Sequence, residues 1–129
     1  MRLITLRGAA TPEHRCVSDW GERRETRMRG GTFAGPRLKG EVVEGLANDW
    51  GALSTSGIGG YDANIVLRTH DGEAIFMPFY GRQDLDGRVR ISPTFEASHG
   101  PYAWLSEIQA VGIGDAIGSD LVLDVYGIR

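Results

Sequence analysis

Two stretches place polar and charged side chains at every second position, the spacing of one face of a β-strand. In YDANIVLRTH (residues 61–70), Asp62, Asn64, Val66 and Arg68 share one face; Ala63, Ile65, Leu67 and Thr69 share the other. In RVRISPTFE (residues 88–96), Arg90, Ser92, Thr94 and Glu96 oppose Val89, Ile91, Pro93 and Phe95. Carboxylates such as Asp62 and Glu96 form an acid–base pair when one is desolvated and its pKa rises toward neutrality. Arg37 follows Gly35-Pro36, a rigid turn that fixes its direction. A preorganised guanidinium suits a carboxylate, enolate or phenolate on a ligand. Alternation alone does not say which face is inside. On a solvent face these are ordinary outward residues; inside a barrel they must pair or bind something.

Other chemistries lack their signatures. His14, His70 and His99 are far apart and lack the spacing of a zinc site, so no metal is expected. His99, beside a Gly-Pro turn, is a candidate for lining a barrel mouth. GIGG (residues 57–60) opens no helix and makes no dinucleotide fingerprint, and no G-x-S-x-G elbow occurs. The single cysteine, Cys16, excludes an intramolecular disulfide and lies in a polar stretch beside Arg15. The net charge of −3 argues against a nucleic-acid partner. No apolar run approaches the roughly 20 residues of a membrane span. The first residues lack a signal core, so a cytoplasmic location is expected.

The elements that must hold such residues read as strands. The 129 residues suit a single domain, 1–129, and 19 glycines punctuate β-like runs. Glycine at that density opposes helix formation. Strands are expected at Arg2–Arg7, at Arg37–Val43 with a bulge at Gly40, and at Trp50–Ser56 after an Asn48-Asp49 turn. Further strands are expected over residues 61–70, 73–80, 88–96, 108–113 and 121–128. Asp71-Gly72 reads as a type I′ hairpin and Asp86-Gly87 as a second hairpin. Pro78 assigns its strand to an edge or a bulge. Residues 8–20 read as a loop, and 22–29 as an exposed edge strand or a frayed helix. Residues 1–29 form a variable N-terminal segment, a lid or edge strand. Tyr102–Ile108 reads as a short helical turn or the start of a strand. This pattern predicts an all-β fold: one antiparallel barrel of about eight strands, calycin-like, with at most short helical turns.

An ordered set of motifs points to a family. GGTFAGPRLKGEV (residues 30–42), Asp49-Trp50, DAN-x-x-LRT-x-DG (62–72), Phe95-Glu96 followed by YAWL (102–105), and DVY (124–126) occur in sequence. The chain resembles domain-of-unknown-function family 3237 from about Gly30 to its C terminus. The resemblance implies a barrel of the calycin or allene-oxide-cyclase kind. Related barrels bind apolar small molecules, and some guide cyclisation or isomerisation without a cofactor. Arg37, Asp62, Glu96 and Trp104 fall on recurring positions of the pattern. The chain departs from it at Asn64-Ile65, where an Arg-Tyr pair is commoner. The pattern also implies a homodimer as an option, because family-like barrels pair edges or faces.

The expected function is a cofactor-free acid–base enzyme of isomerase, lyase or cyclase type, acting on a small apolar or aromatic metabolite. Arg37 would stabilise developing negative charge; Asp62 and Glu96 would share the acid and base roles. Trp50, Tyr80, Tyr102 and Trp104 would wall the substrate, with His99 at the mouth. The rival reading is a non-catalytic binding or carrier protein.

Overall fold

The computed structural model describes residues 1–128. These form nine strands, β1 (Arg2–Ser18), β2 (Gly21–Ala34), β3 (Lys39–Leu53), β4 (Gly59–Thr69), β5 (Ala74–Gln83), β6 (Arg88–Pro93), β7 (Glu96–Ala97), β8 (Gln109–Ile117) and β9 (Asp120–Ile128). A single 3₁₀ turn, Ala103–Glu107, lies between β7 and β8. The order β4-β3-β2-β1-β9-β8-β6-β5 is closed by β4–β5 pairing, so eight antiparallel strands make a barrel. Short β7 pairs with β5 at Ile75 and Phe76, beyond the end of β6.

The stagger is large. Following partners once around the wall leads from Leu6 through Leu123, Gly114, Val89, Gln83, Gly59, Leu53 and Glu22 to Val17. Closing a twisted sheet requires such a shear. It also explains why β1 is far longer than expected. Residues 8–20 are not a loop, because β1 runs to Ser18, and 22–29 are not helical, because they lie in β2. The stretch reads poorly as strand because bulges at Gly8/Ala10 and Pro12/His14 reset its alternation.

Three hairpins share one design. Ser54, Thr69 and Asp84 each accept at their carbonyl from the N–H of Gly57, Gly72 and Gly87, respectively. Their side-chain oxygens also accept from the backbone at Ile58, Glu73 and Arg88. Only the glycines have positive φ, at 94°, 90° and 83°. Asp71-Gly72 is therefore not a type I′ turn, which needs positive φ at both positions; it is a three-residue loop closed by glycine. Gly40 is not a bulge either. It pairs in register with Phe33 and Thr69, and the register shifts instead between Val42 and Ala47. Asn48-Asp49 is not a turn but the interior of β3. Pro78 marks the interruption where β5 changes partner from β6 to β7.

The inside of the barrel is apolar. Ala63, Ile65 and Leu67 of β4, Ile75, Met77 and Phe79 of β5, and Val89 and Ile91 of β6 are buried. Their alternate neighbours Asp62, Asn64, Arg68, Arg90, Ser92 and Glu96 are exposed. Each fully buried Leu, Ile or Met contributes roughly 1.5–3 kcal/mol relative to exposure. One end is closed: Leu38, Tyr102 and Leu105 join the core there. The other end is open.

Candidate functional site

The open end holds a cavity of about 230 Å³. The inward register of four strands brings polar groups to it. β2 delivers Arg24 and Thr26, β3 delivers Asp49 and Gly51, β4 delivers Gly59 and Tyr61, and β5 delivers Gln83. Asp49 continues the inward run that contains buried Ala47, and Tyr61 continues that of Ala63 and Ile65. The apolar layers stop at Phe79, whose ring lies 6.3 Å from that of Tyr61.

Asp49 is the distinctive group. Its Oδ1 accepts from the backbone N–H of Asp62 at 2.7 Å. Burial pushes its carboxyl up to about 6. The Asp62 N–H opposes that rise, the Asp62 charge reinforces it, and Arg23 opposes it. Gly51 makes room: a Cβ there would stand 2.7 Å from Asp49 Oδ2 and would collide with the Gly60 carbonyl. Tyr61 donates to Gln83 Oε1 at 2.6 Å. Burial, aided by the Asp49 charge, pushes its phenol up to about 12, so it stays a neutral donor. Arg24 is steered by Glu22, Nε to Oε2 at 2.6 Å, and Arg15 holds the other Glu22 oxygen at 2.7 Å. Although burial pushes Glu22 up, the two guanidinium groups hold it below the usual carboxylate range.

The residues expected from the sequence lie elsewhere. Asp62 and Tyr80 are cross-strand partners on the outer wall, both exposed; only the Asp62 backbone touches Asp49. Trp50 is also outside, its carbonyl accepting from Arg23. Glu96 lies on the outer face opposite Phe76. Arg37 is at the closed end, its guanidinium 3.7 Å from the centre of the Trp104 ring. Tyr102 is buried there and donates to Asp71 Oδ1 at 2.8 Å, with Thr69 Oγ1 donating to the same oxygen at 2.5 Å. These two bonds hold the Asp71 carboxyl below its ordinary range. His99 is exposed in the turn before the 3₁₀ segment. Arg37, Asp62 and Glu96 are thus not brought together. The apolar interior sends their strand faces outward, a choice that alternation leaves open.

Asp49, Tyr61, Gln83 and Arg24 escaped the sequence reading. Asp49 was masked by its resemblance to a turn. Tyr61 carried a usable signal, since it extends the apolar face of Ala63, Ile65 and Leu67 with a polar tip. Arg24 and Thr26 share the alternation of buried Met28. Among the described residues, no three His, Cys, Asp or Glu side chains gather to hold a metal ion. No helix among them is long and apolar enough to cross a membrane.

Fold and site together define a small, closed β-barrel with an apolar interior and a cavity at its open end whose wall includes Asp49, Tyr61, Gln83 and Arg24. The chain belongs to the family described as protein of unknown function (DUF3237), whose sequence profile matches residues 3–128. The match takes in the N-terminal hairpin as well as the motifs after Gly30. A beta-barrel like protein from Acinetobacter baumannii is similar at 26% identity and TM-score 0.86, over 99% of this chain and 94% of that one. A conserved protein of unknown function from Rhodopseudomonas palustris is similar at 20% identity and TM-score 0.88, over 99% and 95%. A structure described as an enzyme from Penicillium herquei is similar at 20% identity and TM-score 0.69, over 98% and 92%. No curated protein matches the chain in sequence.

Proposed function

We propose that the chain is a cofactor-independent acid–base enzyme, with Asp49 as its base, acting on a small metabolite in the open-end cavity. The observation that carries this reading is the half-buried Asp49 carboxyl, held by the Asp62 N–H at the wall of that cavity. Such a carboxylate takes a proton from an acidic C–H or O–H of the ligand. The Arg24 guanidinium on the same wall offsets negative charge developing on a ligand oxygen. Protonated Asp49 then returns the proton at another atom, giving isomerisation, or to a leaving group, giving elimination. If an internal nucleophile has attacked meanwhile, the product is a ring. Use of a similar barrel by the Penicillium herquei enzyme supports a catalytic reading.

The test is proton exchange, which needs no knowledge of the net reaction. A panel of small ketones, β-dicarbonyls and phenols is incubated with the protein in D₂O, and loss of acidic protons is followed by NMR. Catalysed exchange is expected for part of the panel, falling about 100-fold or more in Asp49→Asn. Its rate should rise with pH through about 6 as Asp49 ionises. Exchange that survives in a folded Asp49→Asn protein would overturn the assignment. A ligand that binds the cavity and is never exchanged would make the protein a carrier.

A further inference from the structure

Four hairpin turns surround the open end, and each sets a large apolar side chain in solvent. Trp20 at the β1–β2 turn is 99% exposed, and Ile58 ends the β3–β4 turn at 42%. Leu85 in the β5–β6 turn is 70% exposed, and Ile117, entering the β8–β9 turn, is 76% exposed. Hairpin turns at the closed end differ. Arg37 stands exposed in one while Leu38 is buried, and His70, Asp71 and Glu73 occupy the other. Scattered exposed apolar residues need no explanation, but a ring around a single entrance does.

The cavity wall carries the polar groups of Asp49, Tyr61, Gln83 and Arg24, and each turn of the rim adds one large exposed apolar side chain among its polar residues. At about 230 Å³ the cavity lies below the roughly 300–1,000 Å³ of drug-sized sites. It suits a head group the size of a single ring. An apolar path leads outward from it. Leu53 and Gly57 line the cavity, and Leu85 Cδ2 lies 3.1 Å from the place a Cβ on Gly57 would occupy. The missing side chain at Gly57 therefore lets Leu85 lie against the lip.

We propose that the ligand is amphipathic and binds head-in, tail-out: a hydroxyl or carbonyl head beside Asp49 and Tyr61, and an alkyl tail over Leu53, Ile58 and Leu85. This rests on the reading of the cavity as the ligand site. The tail is a better occupant of the rim than a second copy of the chain or an anionic bilayer. Asp19, Asp84 and Asp86 sit in the same turns, which hold no basic residue, so an anionic bilayer, or a second copy docked rim to rim, would set them against like charge.

Phenol and 4-alkylphenols from propyl to nonyl test the proposal by titration calorimetry. Affinity should rise about twofold per methylene, as for half-buried methylenes, and level off once the tail passes Leu85. The double variant Ile58→Ser, Leu85→Ser should flatten that slope, while Asp49→Asn should weaken every member by a common factor. A flat series whose binding still depends on Asp49 overturns the tail track and leaves the cavity reading standing. A slope with no dependence on Asp49 overturns the cavity reading instead. No binding by any member overturns both. Sedimentation of the free protein adds a separate check: a dimer lost in the double serine variant gives the rim to a second copy and overturns the proposal.

Discussion

Burying Asp49 at the cavity wall comes at a cost to the fold. Its carboxyl lies at about 6 in the folded chain, above the ordinary 3.8, because burial disfavours the charged form. Between those values the folded state holds more of the proton than the unfolded state does. Stability therefore falls as pH rises from about 4 through 6 and stays lower above that. Asp49→Asn removes the penalty and can still accept from the Asp62 N–H. The variant should be more stable than the parent at pH 8 by about 1 kcal/mol, after allowance for solvent around a half-buried group. The difference should vanish toward pH 4, which paired urea titrations would show. An equal difference at both pH values would mean that burial does not shift the carboxyl. Asp71 has the opposite sign. Held low by Thr69 and Tyr102, it supports the closed end above the ordinary carboxylate range, and that support is lost as pH falls through its folded value. One protein thus carries a carboxylate that strains its open end and another that secures its closed end.

At the scale of elements, glycine sets how closely strands and side chains approach. Gly112 of β8 faces the interior where Ile91 of β6 crosses it; a Cβ there would stand 2.5 Å from Ile91 Cγ1 and 2.8 Å from Cδ1. Gly112→Ala should cost about 1–3 kcal/mol by overpacking. Ile91→Val in the same chain removes the Cδ1 conflict and should recover part of the loss, so a double-mutant cycle measured by denaturation should show favourable coupling. Simple additivity would place the strain elsewhere. Such pairs were invisible in the sequence, which lists glycines without their neighbours. Other elements were legible. Runs 61–70 and 88–96 have uninterrupted alternation, and β4 and β6 with its extension match them. Asp71-Gly72 and Asp86-Gly87 marked real hairpins, though not their turn type, which depends on a backbone bond from the glycine to the residue three before it. In the N-terminal hairpin, Arg2–Arg7 and the strand alternative for 22–29 were legible, but residues 8–20 were lost because bulges there shift the inward face twice. The site was lost too, since Arg24 and Thr26 lie on that hairpin, and Asp49 declares itself only when β3 is read as one continuous strand.

For the whole molecule, the shear that closes the barrel leaves β1 longer than its neighbour. Pairing with β9 ends at Ala9, one further bond joins the Ala10 N–H to Ser119, and beyond it β1 is paired with β2 alone. The outer edge of residues 12–18 is therefore open, a template for aggregation unless blunted. The sequence blunts it with Pro12, which has no N–H, with the bulge before His14, and with the charges of Glu13 and Arg15. Ion pairs tie it back to β2 at Glu13–Arg29 and Arg15–Glu22. These exposed pairs add at most about 1 kcal/mol each, whereas Leu6 further along the same strand is buried in the core. The hairpin should therefore open locally far more often than the barrel does. Native-state hydrogen exchange should find the amides of residues 13–18 exchanging orders of magnitude faster than those of Leu6, Leu67 and Val125, which should approach global protection. Sodium chloride at 1 M should quicken the hairpin further by screening its ion pairs, while leaving the three core amides nearly unchanged. Equal protection in both regions would mean that another surface covers the edge of β1 in solution.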